Sequence, residues 1–295
     1  MQRRDRAARR LALIILLTGA AATLRAEPGP EAAAIAWRAG RPMTPPLVHD
    51  LSEAVAFQEA FVAALAPDGG ARAGYKAALT NPAAQQRFGV NHPLLGVLLV
   101  NMLLPDGAEW SMAAAAVPLA EADLLVRVHD ARINEAQTDR ELVGALDAAI
   151  PFIELADGLF SAGVQPDAPA LTALNAGARA GVLGGVIPLP DDADAALARL
   201  GTLRVVLRDE SGHLWGEGHA QALLGHPVEA VRWIRDEVRA RGHVLKPGDL
   251  LSLGSLTPPR PILNPTRLTA VYEGLADQPR EVHCRIIGTT TDVRP

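Results

Sequence analysis

Three acidic residues stand in segments whose other residues are apolar or alternate in the manner of a β-strand. Glu121 and Asp123 lie two positions apart in residues 121–128, where the alternation predicts a strand with both carboxylates on one face. Glu154 lies in the apolar segment 151–156 with no Lys or Arg within ten residues, so no local ion pair offsets its burial. Such carboxylates suit Mg²⁺ or Mn²⁺, which prefer oxygen ligands and keep positions for water or substrate. Alternating acids also occur on solvated strand faces, so spacing alone leaves both interpretations open.

The elements before these acids are predicted from capping residues and turn signals. Asp50 and Glu53 indicate the start of a helix, in which Asp50 is the N-cap and Glu53 reaches back to it. The Pro-Asp-Gly-Gly sequence at 67–70 ends that helix. A short strand is predicted at 75–79, and residues 81–110, which contain several Pro and Gly, are predicted to be loops that join short elements.

A second capping box, Thr-Asp-Arg-Glu at 138–141, opens a helix close to the third acid. Its apolar spacing predicts a helix that carries Leu142, Leu146 and Ala149. Pro151 is expected to end or bend that helix, because proline lacks the N–H that a helix interior needs. Residues 152–155 then indicate a short buried strand that contains Glu154.

The second half of the chain alternates between strand and helix signals in an irregular order. A hairpin is predicted from residues 203–207 and 213–217, and a helix from 227–241 with proline in its first turn. Residues 250–256 and 267–287 again indicate strands. This order predicts a mixed α/β protein and argues against a Rossmann sheet or a TIM barrel, in which strands and helices alternate regularly.

The charge distribution argues against a nucleic-acid partner. The net charge is −5, but residues 1–26 hold six Arg and one Asp, so the remainder carries about −10. Non-specific nucleic-acid binding needs clustered Lys and Arg, which this acidic remainder does not provide. Cys284 is the one cysteine, so an internal disulfide is excluded and a packed side chain is the expected role.

The first 26 residues have the three-part pattern of a secretory signal peptide. A cluster of arginines is followed by the apolar run 11–24 and by a small residue at Ala26. The run is shorter than a membrane span needs, so we expect cleavage near Ala26, a periplasmic mature protein and no membrane association after cleavage. An uncleaved N-terminal anchor is the alternative. The remainder is predicted to divide into an N-terminal region, 27–110, and a catalytic domain, 111–295.

Further short motifs follow one another from about residue 50 to residue 286. They are Gly74-Tyr75-Lys76-Ala77-Ala78-Leu79-Thr80, Gly89-Val90-Asn91-His92-Pro93-Leu94-Leu95-Gly96, Glu121-Ala122-Asp123, Gly225-His226-Pro227, Lys246-Pro247-Gly248-Asp249 and Gly254-Ser255-Leu256-Thr257. As a set in this order they resemble the 2-keto-4-pentenoate hydratase and 2-oxohepta-3-ene-1,7-dioate hydratase branch of the fumarylacetoacetate hydrolase superfamily. Each motif alone is short, and it is their common order that is specific.

The resemblance implies a fold, a metal and an assembly. The implied fold is mixed α/β, with a fumarylacetoacetate hydrolase-like β-roll core and a smaller N-terminal helix-containing region. Glu121 and Asp123 match the family's metal-binding E-x-E, and Glu154 matches the third acid of its P-x-x-E-x-x-D segment. Mg²⁺ or Mn²⁺ is therefore the implied cofactor. Homo-oligomers are common in the family, so a homo-oligomer is expected.

The same resemblance assigns candidate roles to five further residues. Lys76 is the candidate general acid or base, since burial lowers the pKa of a lysine towards neutrality, or the candidate group that binds the substrate carboxylate. Asn91 and His92 on the proline-containing loop, and Ser255 and Thr257 in the Gly-Ser-Leu-Thr turn, are candidates for substrate binding. A surface lysine, a structural histidine and a turn that satisfies its own backbone are the alternatives.

Departures from the family pattern bear on the expected reaction. Leu94 stands where the hydratases carry an Asp, and the D-N-A-S-S-like segment reads Leu174-Asn175-Ala176-Gly177 here. The expected function is a metal-dependent hydratase acting on a small 2-oxo or 2-hydroxydienoic acid such as 2-hydroxypenta-2,4-dienoate. The alternatives are a 2-oxo acid decarboxylase, an acylpyruvate-type hydrolase, or a ligand-binding homologue without turnover.

Overall fold

The computed structural model of the chain describes residues 29–161 and 163–288, so the predicted leader at 1–26 lies outside the described residues. Within these ranges the α-helices are α1 (Pro30–Arg38), α2 (Leu51–Gly69), α3 (Pro82–Arg87), α4 (Asp139–Val143), α5 (Ala168–Ala173), α6 (Ala193–Gly201) and α7 (Pro227–Ala240). The strands are β1 (Arg72–Ala78), β2 (Leu94–Leu99), β3 (Leu103–Pro105), β4 (Glu109–Ser111), β5 (Pro118–Val128), β6 (Leu146–Asp157), β7 (Ala180–Leu183), β8 (Ile187–Pro188), β9 (Arg204–Asp209), β10 (Leu214–His219), β11 (Leu250–Ser255), β12 (Arg260–Pro261), β13 (Thr266–Glu273) and β14 (Arg280–Ile287). None of the helices in the described ranges combines the length and hydrophobicity of a membrane span.

The larger sheet curls into a roll. Its strand order is β2-β1-β11-β5-β6-β7-β3, with β12 beside β5 and β8 beside β6. In a flat sheet the outermost strands of this order would lie about 29 Å apart. However, β2 and β3 are joined only by Val100–Met102, which spans at most about 14 Å. The two edges must therefore approach each other, and the predicted β-roll fold is confirmed. Strands from both sides of residue 110 take part, so the division at that residue stays a prediction.

The central hairpin of the roll is formed by β5 and β6, which pair along almost their whole length. Alternate residues of β5 face outwards and are buried against α7 and the second sheet, as Ala122 and Leu124 show. Residues of the other parity face into the roll, where Leu125, Ile150 and Phe152 form a small apolar cluster. Both faces are covered, which explains why these strands contain long apolar runs.

A second sheet, in the order β10-β9-β13-β14-β4, packs against the outside of the roll. The predicted hairpin is confirmed in β9 and β10, and the predicted strands near the C-terminus are confirmed in β11, β13 and β14. Tyr272 on β13 connects the two sheets. Its hydroxyl donates towards the carbonyl oxygens of Asp123, at 2.6 Å, and Phe152, at 2.7 Å, and accepts from the Phe152 N–H at 3.2 Å.

We expect Tyr272→Phe to lower the free energy of unfolding by about 1–3 kcal/mol, because it leaves buried backbone groups without a partner. The measurement is urea unfolding. Tyr75→Phe is the matched control, since Tyr75 is the only other tyrosine and its hydroxyl accepts only from Arg72, at 2.6 Å. The free energy of unfolding of this control should fall by only about 0.5–1 kcal/mol. Equal losses in the two variants would contradict the role of Tyr272 between the sheets.

The predicted helix boundaries in α2 and α7 are confirmed. The Asp50 carboxylate accepts from the Glu53 N–H at 2.9 Å, and the chain leaves α2 at Gly70, whose φ is +76°. Glu53 reaches back to accept from the backbone N–H of His49, at 2.9 Å. Pro227 stands in the first turn of α7, where its missing N–H has no helical acceptor.

The prediction that the helix at 138–141 continues to Ala149 is wrong. The capping box is present, but α4 ends at Val143, and β6 begins at Leu146. The spacing of the apolar residues suits a helix, but this segment pairs with β5 and buries both faces, which outweighs the local pattern. Pro151 lies inside β6 rather than at a helix end.

Candidate functional site

The residues that point into the roll form layers along β5 and β6. From the apolar floor outwards the facing pairs are Leu125 with Ile150, Asp123 with Phe152, Glu121 with Glu154, and Leu119 with Ala156. Leu125 and Asp123 are 0% exposed and Glu121 is 5% exposed, whereas Leu119 is only partly buried. The burial therefore decreases towards one end, and the acids lie between a closed floor and the mouth of the roll.

Lys76 enters this set from β1. The register places it beside Ser252 on β11 and Gly96 on β2, and the side chain is 3% exposed. Its ammonium group donates a hydrogen bond to Glu154 and lies 3.4 Å from the carbonyl oxygen of Ala176. The structure thus supplies the ion-pair partner that the sequence near Glu154 does not contain.

The pKa of Lys76 is raised rather than lowered. Burial opposes the charge, but the carboxylates of Glu154 and Glu121 raise the pKa and outweigh the burial. The expectation of a lowered pKa was wrong, because it considered burial without the three acids that share the interior of the roll. Lys76 is therefore an ammonium group in this arrangement, and it can act first as a proton donor.

The other two acids are not neutralised by a basic side chain. Asp123 accepts hydrogen bonds from the hydroxyl of Ser252 and from the Leu124 N–H. One carboxylate oxygen of Glu121, Oε2, is buried without a hydrogen-bond partner. Burial, followed by the charge of Glu154, raises the pKa of Glu121 to about 8, and the same two causes raise the pKa of Asp123. Both acids are thus held where a negative charge is unfavourable.

Whether these residues suit a metal ion depends on their charge and on the direction of their oxygens. Across residues 29–161 and 163–288, no three His, Cys, Asp or Glu side chains are arranged as a metal site. The reason is that Glu154 turns to Lys76 and Asp123 turns to Ser252. Three acids nevertheless accompany a single ammonium group. Ionisation of all three would leave two negative charges without a counter-charge, and the pKa values of Glu121 and Asp123 are raised accordingly. A hard divalent cation would offset this excess, and oxygen donors are the ligands that it prefers.

The predicted substrate-binding residues lie in different environments. Asn91 is exposed, and the ring of His92 lies 2.8 Å from the carbonyl oxygen of its neighbour Pro93. Ser255 is partly exposed at the end of β11, opposite Asp123, and its hydroxyl lowers the pKa of Glu121. Among the described residues, neither Asn91 nor His92 bonds to Lys76 or to the acids. Their contact with a substrate stays a prediction.

Thr257 stabilises the strand that carries two of the acids, a role that the sequence did not predict. Its side chain is 1% exposed, and its hydroxyl oxygen accepts from the Ala122 N–H at 2.9 Å. Ala122 lies between Glu121 and Asp123, so this bond fixes the strand that carries both acids. A contact between Thr257 and substrate stays a prediction, whereas the positioning of β5 is visible in the geometry.

Leu94 faces into the roll next to Lys76. On β1, Lys76 pairs with Gly96, and Ala78, two residues further along, pairs with Leu94. Residues two apart on paired strands share a face, so the side chains of Leu94 and Lys76 lie on the same face of the sheet. It is 3% exposed. The position at which the hydratases carry an acid is therefore part of this site and is apolar here.

A left-handed turn closes the site on the side of β2. Asn175, Ala176 and Gly177 have φ values of +59°, +51° and +69°, which is unfavourable for residues with a Cβ. The side chain of Asn175 compensates: it accepts from the Val97 N–H at 2.7 Å and donates to the Val97 carbonyl at 2.9 Å. This bonding holds the Ala176 carbonyl against Lys76. The sequence showed a departure at this segment, but neither its conformation nor its contact could be predicted.

A buried polar chain supports that turn from the helical side. The amide nitrogen of Gln58 on α2 donates to the Leu95 carbonyl at 2.7 Å and to Asn175 at 3.1 Å. The Gln58 oxygen accepts from Arg241, just after α7, at 2.7 Å. Two helices and the edge of the roll thus meet at Asn175.

Comparison with known proteins was made by sequence and by fold. No protein-family model matches the chain. It is 27% identical over 237 residues to 2-keto-4-pentenoate hydratase of Paraburkholderia phymatum, covering 77% of this chain and 84% of that protein. It is 28% identical over 256 residues to 2-keto-4-pentenoate hydratase 2 of Dechloromonas aromatica, covering 84% of this chain and 95% of that protein. The solved structure of 4-oxalocrotonate decarboxylase from Pseudomonas putida G7, complexed with magnesium and adipate, has the same fold: the TM-score is 0.74 at 22% identity, over 88% of this chain and 97% of that one.

Proposed function

We propose that this chain, which belongs to the 2-keto-4-pentenoate hydratase branch of the fumarylacetoacetate hydrolase superfamily, is a metal-dependent hydro-lyase. Its substrate class is a small 2-oxo or 2-hydroxydienoic acid, represented by 2-hydroxypenta-2,4-dienoate. The observation that carries the proposal is the buried cluster of Lys76 with Glu121, Asp123 and Glu154. A purely structural role would leave this cluster unexplained, because unpaired buried charges are strongly unfavourable.

A divalent ion is part of the proposal. Glu121, Asp123 and Glu154 are the residues that would hold it, and Mg²⁺ or Mn²⁺ suits their oxygen donors. When bound, the ion supplies Lewis acidity that stabilises the negative charge developing on the 2-oxo acid group. Support comes from the charge excess of the cluster and from the magnesium in the structurally similar decarboxylase. If Glu154 turned from Lys76 to such an ion, the Lys76 ammonium group would become free for chemistry.

Lys76 is the proposed proton donor. Hydration adds one water to the conjugated carbon chain, as a hydroxide and a proton, so a group that can transfer a proton must face that chain. The Ala176 carbonyl oxygen lies 3.4 Å from the Lys76 ammonium group, so it can hold the proton-bearing nitrogen in place. Ser255 at the mouth is the proposed donor to the substrate carboxylate, with Thr257 behind it, and Asn91 and His92 are proposed to line the approach.

The test is turnover of 2-hydroxypenta-2,4-dienoate with Mg²⁺, with Mn²⁺ and with EDTA. We expect the dienol absorbance to disappear only with a divalent ion, and the product mass to show the addition of one water. Glu154→Ala should abolish this activity, while Glu217→Ala on the exposed hairpin should not change it. Binding of metal and of oxalate without turnover of any 2-oxo acid would instead indicate a ligand-binding homologue.

A second candidate is a decarboxylase of a 2-oxo acid, and Leu94 favours it. Addition of water needs a polar group to orient the water. Loss of carbon dioxide from a second carboxylate, on the carbon chain conjugated with the 2-oxo group, leaves an enolate that needs only charge stabilisation and a proton. The apolar side chain of Leu94 beside Lys76 provides no such polar group. Release of carbon dioxide from an unsaturated 2-oxo diacid, without the addition of water, would select this candidate. Acylpyruvate-type hydrolysis would instead release two acids.

The cellular context belongs to the proposal as well. The arginine-rich, apolar leader supports export to the periplasm with cleavage near Ala26, and the family supports a homo-oligomer. Cell fractionation with N-terminal sequencing tests export and cleavage, and light scattering tests the homo-oligomer. A cytoplasmic chain that keeps its leader would contradict the export proposal.

A further inference from the structure

Arg179 lies at the mouth of the roll, one layer outside the acids. Gly181 on β7 pairs with Glu154, and Ala180 pairs with Leu155. Continuing this register by one residue brings Arg179 opposite Ala156, in the layer between the acids and the solvent. Two residues of extended chain separate this layer from that of Glu154, a distance of about 7 Å. Arg179 is thus within one side-chain length of a ligand that extends outwards from the acids.

The charge of Arg179 has no acidic partner. The residue is 8% exposed, and no carboxylate lies within ion-pair distance of it among residues 29–161 and 163–288. Its guanidinium stacks 3.7 Å from the ring centroid of Trp37 and donates one hydrogen bond, 2.5 Å long, to the Trp37 carbonyl. Burial lowers its pKa to about 10, although the nearby charge of Asp157 opposes this. A buried cation without a counter-charge is unfavourable unless a ligand supplies one.

The held orientation suits the recognition of a carboxylate. Trp37 fixes the Arg179 plane by stacking, and its indole N–H donates to the Ala178 carbonyl at 3.3 Å, which fixes the backbone. A guanidinium offers five N–H donors in a fork that matches a carboxylate. Only one of these donors is occupied by the Trp37 carbonyl. No hydrogen-bond partner is found for the others among the described residues, so they remain for an anion bound at the mouth of the roll.

We propose that Arg179 binds the far carboxylate of a dicarboxylic substrate whose 2-oxo acid end lies at the acid cluster. This inference rests on the proposed function and narrows its substrate class to 2-oxo or 2-hydroxydienoic diacids. An extended six-carbon diacid places its two carboxylate carbons about 6 Å apart, at roughly 1.25 Å per bond. That length matches the separation between the acid layer and the Arg179 layer.

The experiment compares 2-oxoadipate with 2-oxohexanoate, which have the same length and differ in the far carboxylate. Binding to the full protein with Mg²⁺ is measured by calorimetry, for wild type, Arg179→Gln and Arg179→Lys. We expect wild type to prefer the diacid by about ten- to a hundredfold, as a charge-assisted pair provides. Arg179→Gln should lose this preference while its affinity for the monoacid changes by less than about threefold. Arg179→Lys should recover part of the preference, because it keeps the charge without the fork.

Arg204→Gln is the matched control, because Arg204 is an exposed arginine on β9 that takes no part in the site. It should leave the affinities for both acids, and therefore the diacid preference, unchanged. If Arg179 served only to anchor α1, Arg179→Gln would weaken both acids equally, and that result overturns the inference. Equal binding of the two acids by wild type also overturns it but leaves the proposed function intact. Binding of neither acid overturns both.

Discussion

Lys76→Met is expected to lower kcat on a 2-hydroxydienoic acid by about 10²- to 10⁴-fold, the range that general acid catalysis supplies. Methionine keeps the unbranched shape of lysine, one atom shorter, but cannot carry a proton. Metal affinity should persist or increase, because Glu154 no longer has an ammonium group to release. The two effects together distinguish loss of a proton donor from loss of the site.

The chain provides a matched control for this experiment. Lys76 and Lys246 are its only lysines, and Lys246 is exposed on the loop before β11. Lys246→Met should leave kcat, KM and metal affinity unchanged. Activity of Lys76→Met above about one third of wild type would remove Lys76 from the mechanism, while an unfolded variant would be recognised by its melting curve.

Glu121→Gln should have opposite effects with and without metal. In the metal-free protein it replaces an acid whose pKa is raised to about 8 on folding and whose Oε2 has no hydrogen-bond partner. A glutamine has no ionised form to lose on folding, so the melting temperature at neutral pH should rise. In the presence of Mg²⁺ the wild type should become the more stable form, because the variant has lost a ligand. Metal affinity should fall by at least the ten- to hundredfold that loss of outer-shell partners alone causes.

The control for this charge removal is Glu217→Gln, an exposed glutamate on β10. It should change neither the melting temperature nor the titration with Mg²⁺. If Glu121→Gln destabilises the metal-free protein, or leaves the Mg²⁺ affinity unchanged, Glu121 is a structural acid and the metal set must be sought elsewhere.

Local patterns predicted a large part of the fold. The capping residues of α2 and α7 act within one helical turn, and the alternation of β5 depends only on the pleat, so both could be predicted from the sequence. Residues 142–149 show where this reasoning fails. Their spacing fits a helix, but the segment has a strand partner, and long-range pairing outweighed the local preference.

The candidate site shows the same division between local and distant information. Glu121, Asp123 and Glu154 can be proposed as site residues from the sequence, because acids in apolar segments are conspicuous. The contacts of Ser252, Tyr272 and Asn175 could not be predicted, because each residue reaches the site from a remote part of the chain through a hydroxyl or an amide. Serine, tyrosine and asparagine are ordinary in any strand or turn. Only the strand register and the hydrogen bonds of the folded protein show which groups these three side chains hold in place.

The pairing of β1 with β11 also determines how late in synthesis the site can form. Lys76 and Ser252 lie side by side but 176 positions apart, so the strands that carry them meet only after most of the chain is available. Contacts of such sequence separation make folding slow. During synthesis on the ribosome, most strands of the larger sheet are therefore made well before β11 can complete the roll. Until β11 has been made, Lys76 and Ser252 cannot share one site, so the active arrangement forms late.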